Sequence, residues 1–387
     1  MRRGRIPVLV ALAAAVALLG GCWDYVDLER RAIILAVGVD VDPDRAGELR
    51  LSVEVPSPSV PPQQSMEAAG AGPRKVVAHA TGVSIVEAAN RLRGHLERQP
   101  LWTQVIAVVV GEPVARQGVA RVLDVFMRYD PLNARAYLYL TDGEAQAVLE
   151  QMPNAQALTA LSLSTFTTQA PFFPEAIRPR DIATIHRELK ETGSTVVARI
   201  TILGDRLHMA GGGVLKDGVL VGWLDPQDTV GTDWLLGRVN RAPIPLTCPG
   251  DPDAYVVVWA RLTDHRVSVA LDGGRPRFHI RLGVAGRLVD MARCPLDPEN
   301  PGDLRQLVDA MTATVRGQAE RALMRAQEEL QVDYLRLGEQ LRRRYPHVWR
   351  AIDWEAVFPQ TDVVIDVRAH GAGIESPGLV RWTVPYN

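Results

Sequence analysis

The sequence predicts a multi-domain α+β protein, a mixed α/β chain with a crossover-rich first half and a strand-rich second half that carries one long helix. Three observations lead there. Apolar residues make up 47% and charged residues 23% of the 387 positions, the balance of a globular chain that buries real cores. Between residues 32 and 151, short apolar runs alternate with amphipathic helical periods, the order that builds a sheet with crossover helices. After residue 194 the apolar runs follow one another through tight turns, until a long helical period opens at Asp303. At about 150 residues per domain, the length accommodates two or three domains.

The amino terminus reads as an export signal. Arg2, Arg3 and Arg5 form a basic start, Ile6 to Leu19 an apolar segment, and Leu19, Gly20 and Gly21 a small-residue cleavage site, the three parts of a secretory leader over residues 1–21. The apolar stretch is short for a membrane span. Cys22 follows at once, where bacterial lipoprotein maturation places the thiol that is joined to diacylglycerol before the bond after Gly21 is cut. The expected mature chain begins at a lipidated Cys22, whose acyl chains contribute on the order of 20 kcal/mol gross to membrane binding. A plain secretory signal followed by a free cysteine is the other reading. With a formal charge of −2 and a pI near 6.5, no global basic field draws nucleic acid or acidic headgroups, so membrane contact falls to the lipid. Cys248 and Cys294 are the remaining cysteines. Outside the cytosol they can pair or stay as buried thiols, and their spacing leaves both open.

The mature chain is expected to open with a hairpin, Ala32 to Val41 and Leu49 to Val55 as strands around the turn residues Pro43 to Gly47. Residues 56–73, rich in Pro, Ser, Gln, Ala and Gly, read as a mobile loop. A strand at Lys75 to Ala80 leads to a helix with capping-box spacing at Ser84 and Glu87. A buried strand at Val105 to Val110, a helix from Val114 to Met127, a strand from Arg135 to Thr141 and a helix from Glu144 to Gln151 follow. Met152 to Gly193, broken by Pro153, Pro171, Pro174 and Pro179, reads as a wrapping linker.

Beyond it, Val196 to Leu203, Leu207 to Leu215 and Val219 to Trp223 form a meander turned by Lys216-Asp217-Gly218. Asp225 with Pro226 starts a short helix through Trp234. Strands at Tyr255 to Leu262, Arg266 to Leu271 and Arg277 to Leu288 precede the long helix, capped by Asp303 and apolar along Leu304, Leu307, Met311, Val315, Ala322, Ala326 and Leu330. Its charged face, with Arg316, Glu320, Arg321, Arg325, Glu328 and Glu329, reads as a solvated face or a docking face for a partner helix. Pro346 interrupts the next helix and Val363 to Val367 closes the chain as a strand. The expected units are residues 22–193, 194–248 and 249–387.

No constellation of catalytic or metal-ligating residues emerges. The chain has no His-Glu-x-x-His, Cys-x-x-Cys or Gly-x-Ser-x-Gly, and its eight histidines are scattered. Gly211-Gly212-Gly213 lacks the Lys-Ser/Thr of a phosphate loop, so it reads as a strand bulge or a close backbone approach. Asp40 and Asp42 sit at a strand-to-turn junction where turn chemistry accounts for them. Catalytic, cofactor-binding and metal residues are therefore expected to be absent, the sole prosthetic group being the diacylglycerol on Cys22. Gly222, Trp223 and Leu224 are the candidates for a partner contact, with packing of a sheet edge as the alternative.

Several segments resemble one family. Cys22-Trp23-Asp24, followed by an acidic stretch and Ala32 to Asp40, is similar to the mature start of the Ger(x)C spore germination lipoproteins, the C subunits of GerA-type nutrient germinant receptors. Gln104 to Gly111, Gly118 through Leu123 to Arg128, and Ala134 to Tyr137 follow in family order, then Gly212 to Leu224 with its Gly-Trp-Leu segment, Asp333 to Glu339, Arg343 to Pro346, Trp349 and Trp354. Val60 to Gly72 and Thr165 to Arg187 depart from the pattern. The resemblance implies a non-enzymatic lipoprotein on the outer surface of the spore inner membrane, beside a membrane-spanning A subunit and a transporter-like B subunit, built from three small α/β units, with residues 194–387 as the C-terminal family region. A lipid-anchored solute-binding protein of an uptake system is the alternative.

Overall fold

The computed structural model describes residue 27 and residues 30–57, 75–129, 132–151, 158–170, 173–292 and 294–374. The expected leader, Cys22 and most of the loop 56–73 lie outside these residues. A short pair, β1 (Arg31–Ile33) with β5 (Gln99–Leu101), sits beside a nine-stranded mixed sheet. That sheet contains β2 (Ala36–Val41), β3 (Leu49–Pro56), β4 (Lys75–Gly82), β6 (Ala107–Gly111), β7 (Tyr137–Thr141), β8 (Arg180–Asp181), β9 (Ser194–Leu203), β10 (Arg206–Lys216) and β11 (Val219–Leu224). Its order is β11-β10-β9-β7-β6-β2-β3-β4, with β8 on β7. β2, β6 and β7 run parallel, as crossover helices require.

Alternation along these strands makes three layers. Val37, Val39, Leu138 and Leu140 point to one face, covered by α1 (Ile85–Leu92), α2 (Glu112–Gln117), α3 (Ala120–Arg128) and α6 (Ile182–Thr192). Ala36, Val109 and Tyr139 point to the other, under α4 (Ala145–Glu150) and α5 (Thr159–Gln169). Two strand carboxylates cap these last helices from across the sheet. Asp40 accepts from Ala145 N and Gln146 N at 2.7 and 2.9 Å; Glu54 accepts from Thr159 N and Ala160 N at 2.8 and 3.0 Å, with Lys75 Nζ 3.2 Å away. Asp42 does what turn chemistry predicts and accepts from Asp44 N, whereas Asp40 instead satisfies the open N–H groups of a helix 105 residues away.

Several sequence expectations change here. The first strand is broken, because Ile34 N and Leu35 N turn aside to Leu101 O and Glu54 O. The helix expected from Val114 to Met127 splits at Gly118, whose φ of 116° ends α2. The expected linker 152–193 contains two helices, α5 held by Glu54 and α6 capped by Asp181 and stopped by Gly193 in the left-handed region. The sheet also runs through the expected boundary after Gly193, since β9, β10 and β11 extend it.

The remaining chain forms a four-stranded sheet, β12 (Ala242–Cys248), β13 (Asp251–Asp272), β14 (Arg275–Ala292) and β15 (Asp362–Ile374), in that order. β12 is a strand the sequence reading did not include; it contains Pro243 and Pro245, which an edge strand tolerates. β13 is a single strand where two were expected, passing Thr263 by a register shift between Leu262 and Asp264. Because β12 pairs with β13, the expected cut at Cys248 falls inside this sheet. A disulfide joins Cys248 to Cys294, with Cα atoms 5.6 Å apart.

The inner face of this sheet, including Ile244, Val258, Phe278 and Ile280, packs under α8 (Pro301–Met324). Asn300, with Pro301 in the first turn, caps α8 in place of the expected Asp303, which lies inside that turn. A π-helical turn, Arg325–Glu329, ends it. α9 (Leu337–Arg344), α10 (Pro346–Ala351) and α11 (Trp354–Val357) lead to β15. Between the two sheets lies α7 (Pro226–Leu235), buried over Asp228 to Leu235. Gly231 lets it touch the backbone of α8, since a Cβ there would stand 2.1 Å from Gln318 O. Gly231→Ala gains about 1 kcal/mol of helix propensity but forces the two helices apart at a cost of about 1–3 kcal/mol. A net loss in urea-unfolding midpoint is expected, and an unchanged or raised midpoint would show that the contact gives way freely.

Candidate functional site

Of the residues singled out for a partner contact, Leu224 is buried and Gly222 and Trp223 are half-buried. Gly222 leaves room for Leu330, to which a Cβ would approach within 2.6 Å. Trp223 lies under the Arg199 guanidinium, 5.2 Å from its ring centroid, and its carbonyl accepts from Arg325 Nη2 at 3.0 Å. Leu224 is fully buried in the carboxy-terminal core. The segment thus fastens β11 to the end of α8, the packing alternative of the sequence reading. Part of the charged face of α8 serves the same joint, with Arg325 3.6 Å from Asp228. The Gly211 expectation holds as close approach: with φ of 73°, its Cβ position lies 2.3 Å from Leu224 O, beside a register shift between Met209 and Gly212.

A second set of contacts is built mainly on charged side chains, and Arg180, Glu188 and Arg238 at its centre did not stand out in the sequence. Glu188 on α6 is buried. Arg180 of β8 donates to it, as does Thr195 Oγ1 at 2.5 Å, while Arg336 Nη1 and Arg238 Nη2 stand 3.5 and 4.0 Å away. Burial by itself would raise the Glu188 carboxyl; Arg180, the Thr195 hydrogen bond and Arg238 together hold it below the usual carboxylate range. Arg336 continues to Glu339, 2.8 Å from its Nε, which also pairs with Arg343. Arg336 adopts φ of 64°, a conformation costing about 1 kcal/mol for a residue with a Cβ, and these carboxylates offset it. Ser194 Oγ adds a 2.7 Å bond to Asp333 O, and Arg342 one to Glu191 O.

Asp233 on α7 is the exception in this joint. It is buried beside Arg238, Arg178 and Arg180, yet its Oδ1 accepts no hydrogen bond. Burial outweighs the three arginines and raises its carboxyl to about 6. Because the folded value lies above the ordinary 3.8, this group favours folding fully below pH 4 and loses that contribution as pH rises through 6. Asp233→Asn is expected to raise stability at pH 8 by on the order of 2 kcal/mol and to change nothing at pH 4. Paired urea titrations at the two pH values check this, and equal effects at both would refute it.

The segments that carried the family resemblance meet physically. The Asp333 carboxylate accepts from Leu337 N, Gly338 N and Trp354 Nε1 at 3.0, 2.6 and 3.0 Å. A Cβ on Gly338 would stand 2.5 Å from that same Trp354 nitrogen. Asp333 thus starts α9 and fixes the indole against Phe278 and Phe358. Carboxylates that could have served acid–base chemistry, namely Asp40, Glu54, Glu188 and Asp333, are spent on helix starts and ion pairs. Among the described residues, no group of three or more His, Cys, Asp and Glu could hold a metal ion, and no helix is long and apolar enough to cross a membrane. Cys22 lies outside the described residues.

Residues 24–202 match the family model of the spore germination protein N-terminal domain, and residues 210–371 match that of the spore germination B3/GerAC-like C-terminal region. The chain belongs to the Ger(x)C family. Two relatives of this Ger(x)C protein come from Bacillus subtilis (strain 168). Spore germination protein B3 is 23% identical over 90% of this chain and 92% of its own. Spore germination protein KC is 23% identical over 95% of each. The crystal structure of the GerBC protein superposes with a TM-score of 0.58 at 18% identity, covering 88% of this chain and 97% of that one, so the two share a fold. The two family models meet between Ile202 and Ala210, at the turn joining β9 to β10, inside the nine-stranded sheet.

Proposed function

We propose that this Ger(x)C protein is a non-enzymatic, lipid-anchored subunit of a nutrient germinant receptor. It acts in spore germination from the outer surface of the spore inner membrane, organising or contacting the membrane-embedded A and B subunits. The single observation that carries the reading is the match to both family models in order, on a chain whose relatives are named as spore germination proteins. The lipobox ending in Cys22 supports the anchor, and the diacylglycerol there is the sole group the reading requires. The joint supports a coupling role. A single buried core draws Ile177, Val196, Val214 and Leu224 from the first half into the second, and charged contacts reinforce it, so force on one part is transmitted to the other. A solute-binding protein would present two similar lobes hinged about a cleft, whereas these two sheets differ in strand number and order.

Cys22→Ala is the test. The variant is expected to leave the membrane fraction of spores and to reduce nutrient-triggered germination while leaving germination by non-nutrient agents intact. Full nutrient germination with the protein recovered in the soluble fraction would overturn the proposal.

A further inference from the structure

A cleft of about 540 Å³ opens between α3, α6 and the turn joining β10 to β11. Its size lies within the range of small-molecule sites. Arg121, His186, Lys190 and Asp217 line it, and no hydrogen bond or ion pair involves any of these four side chains among the described residues. Asp124, also in the wall, is already paired with Arg128 at 2.6 Å. Leu123 and Leu189 supply apolar surface. The turn is held in place: Asp217 and Gly218 have φ of 50° and 80°, Asp217 N donates to Gly193 O, and Gly218 O accepts from Val119 N at 2.7 Å. The Asp217 carboxylate is therefore presented on a fixed backbone that joins the ends of all three elements.

We propose that this cleft binds a small zwitterion of the α-amino-acid class with an apolar side chain. Its carboxylate meets Arg121 and Lys190, its ammonium meets Asp217, and its side chain rests on Leu189. Two permanent cations and one carboxylate lining the same cleft select a ligand that carries both charges, and the apolar wall selects against a polar side chain. Arg121, Lys190 and Asp217 are exposed, so screening by water keeps the dissociation constant in the millimolar range. The inference does not depend on the germination reading. Loss of binding would leave that reading untouched, and failure of the Cys22 test would leave the cleft untouched.

Saturation-transfer NMR on the full-length chain in deuterated detergent tests it, with L-leucine, 4-methylpentanoate and 3-methylbutylamine as probes. L-leucine is expected to bind and each single-charge analogue to bind about tenfold more weakly, the loss of one charge-assisted contact. Arg121→Gln combined with Lys190→Gln should weaken leucine about tenfold as well. Asp217→Asn, which keeps the left-handed turn, should remove the preference for leucine over 4-methylpentanoate. Thermal melting of each variant confirms folding. Absence of any leucine signal, equal signals from the three probes, or variants that bind like the parent would overturn the proposal.

Discussion

Replacing Glu188 by alanine is expected to destabilise the protein by about 3–5 kcal/mol, the cost of removing one partner from a buried ionic network. The arithmetic of charge explains the size. Arg180, Arg238 and Arg336 converge on this carboxylate, and without it three cations face one another across a half-buried site. Their repulsion falls on the contact of α6 with α9, so the joint should open before either sheet unfolds. Glu188→Gln, which keeps the Thr195 and Arg180 hydrogen bonds but not the charge, should cost less. The expected pH profile has a definite sign. The folded Glu188 lies below its ordinary value, so its contribution is complete at neutral pH and fades in acid as pH falls through the folded value. Guanidinium unfolding of both variants measures the losses, and a loss under 1 kcal/mol for Glu188→Ala would show that solvent enters the joint and replaces the carboxylate.

Breaking the Cys248–Cys294 disulfide should cost about 4 kcal/mol, from the chain entropy released when a 46-residue closure is lost. The bond joins the end of β12 to the chain just past β14. Edge strand β12 contains Pro243 and Pro245, which cannot donate to a ladder, and it covers part of the core through Ile244 and Leu246. The crosslink therefore secures the strand least able to hold itself. Cys248→Ser with Cys294→Ser is expected to lower the unfolding midpoint, and reductant should reproduce the shift in the parent protein alone. A double variant that unfolds like the parent, with reductant equally without effect, would show that the thiols are not paired in solution.

Much of the fold was legible because it rests on short-range patterns. Alternation located β3, short apolar runs located β9 and β10, and Asp225 with Pro226 marked the start of α7, where Asp225 accepts from Asp228 N at 2.7 Å. What escaped depended on distant partners. α5 has no capping side chain of its own and begins where Glu54 reaches it from another strand. α6 did carry local signals, Asp181 at its start and Gly193 at its end, but the surrounding prolines outweighed them. Gly222, Trp223 and Leu224 were singled out as small apolar and aromatic residues open to a partner contact or to sheet-edge packing, and only the position of Leu330 shows that the space beside Gly222 is filled from within the chain. The charged joint was illegible, because Arg180, Glu188, Arg238 and Arg336 look like any surface charges until the chain brings them together.

The sequence by itself determined the α+β class, the family resemblance, and the absence of familiar catalytic motifs. These rest on residue type and near spacing, which periodicity and capping express directly. The tertiary structure alone decided that β9 to β11 belong to the first sheet, that Cys248 pairs with Cys294, and that three dispersed arginines gather on one buried carboxylate. Each of these joins residues whose separation along the chain carries no local signal, and burial changes the meaning of a charge only once its neighbours are in place.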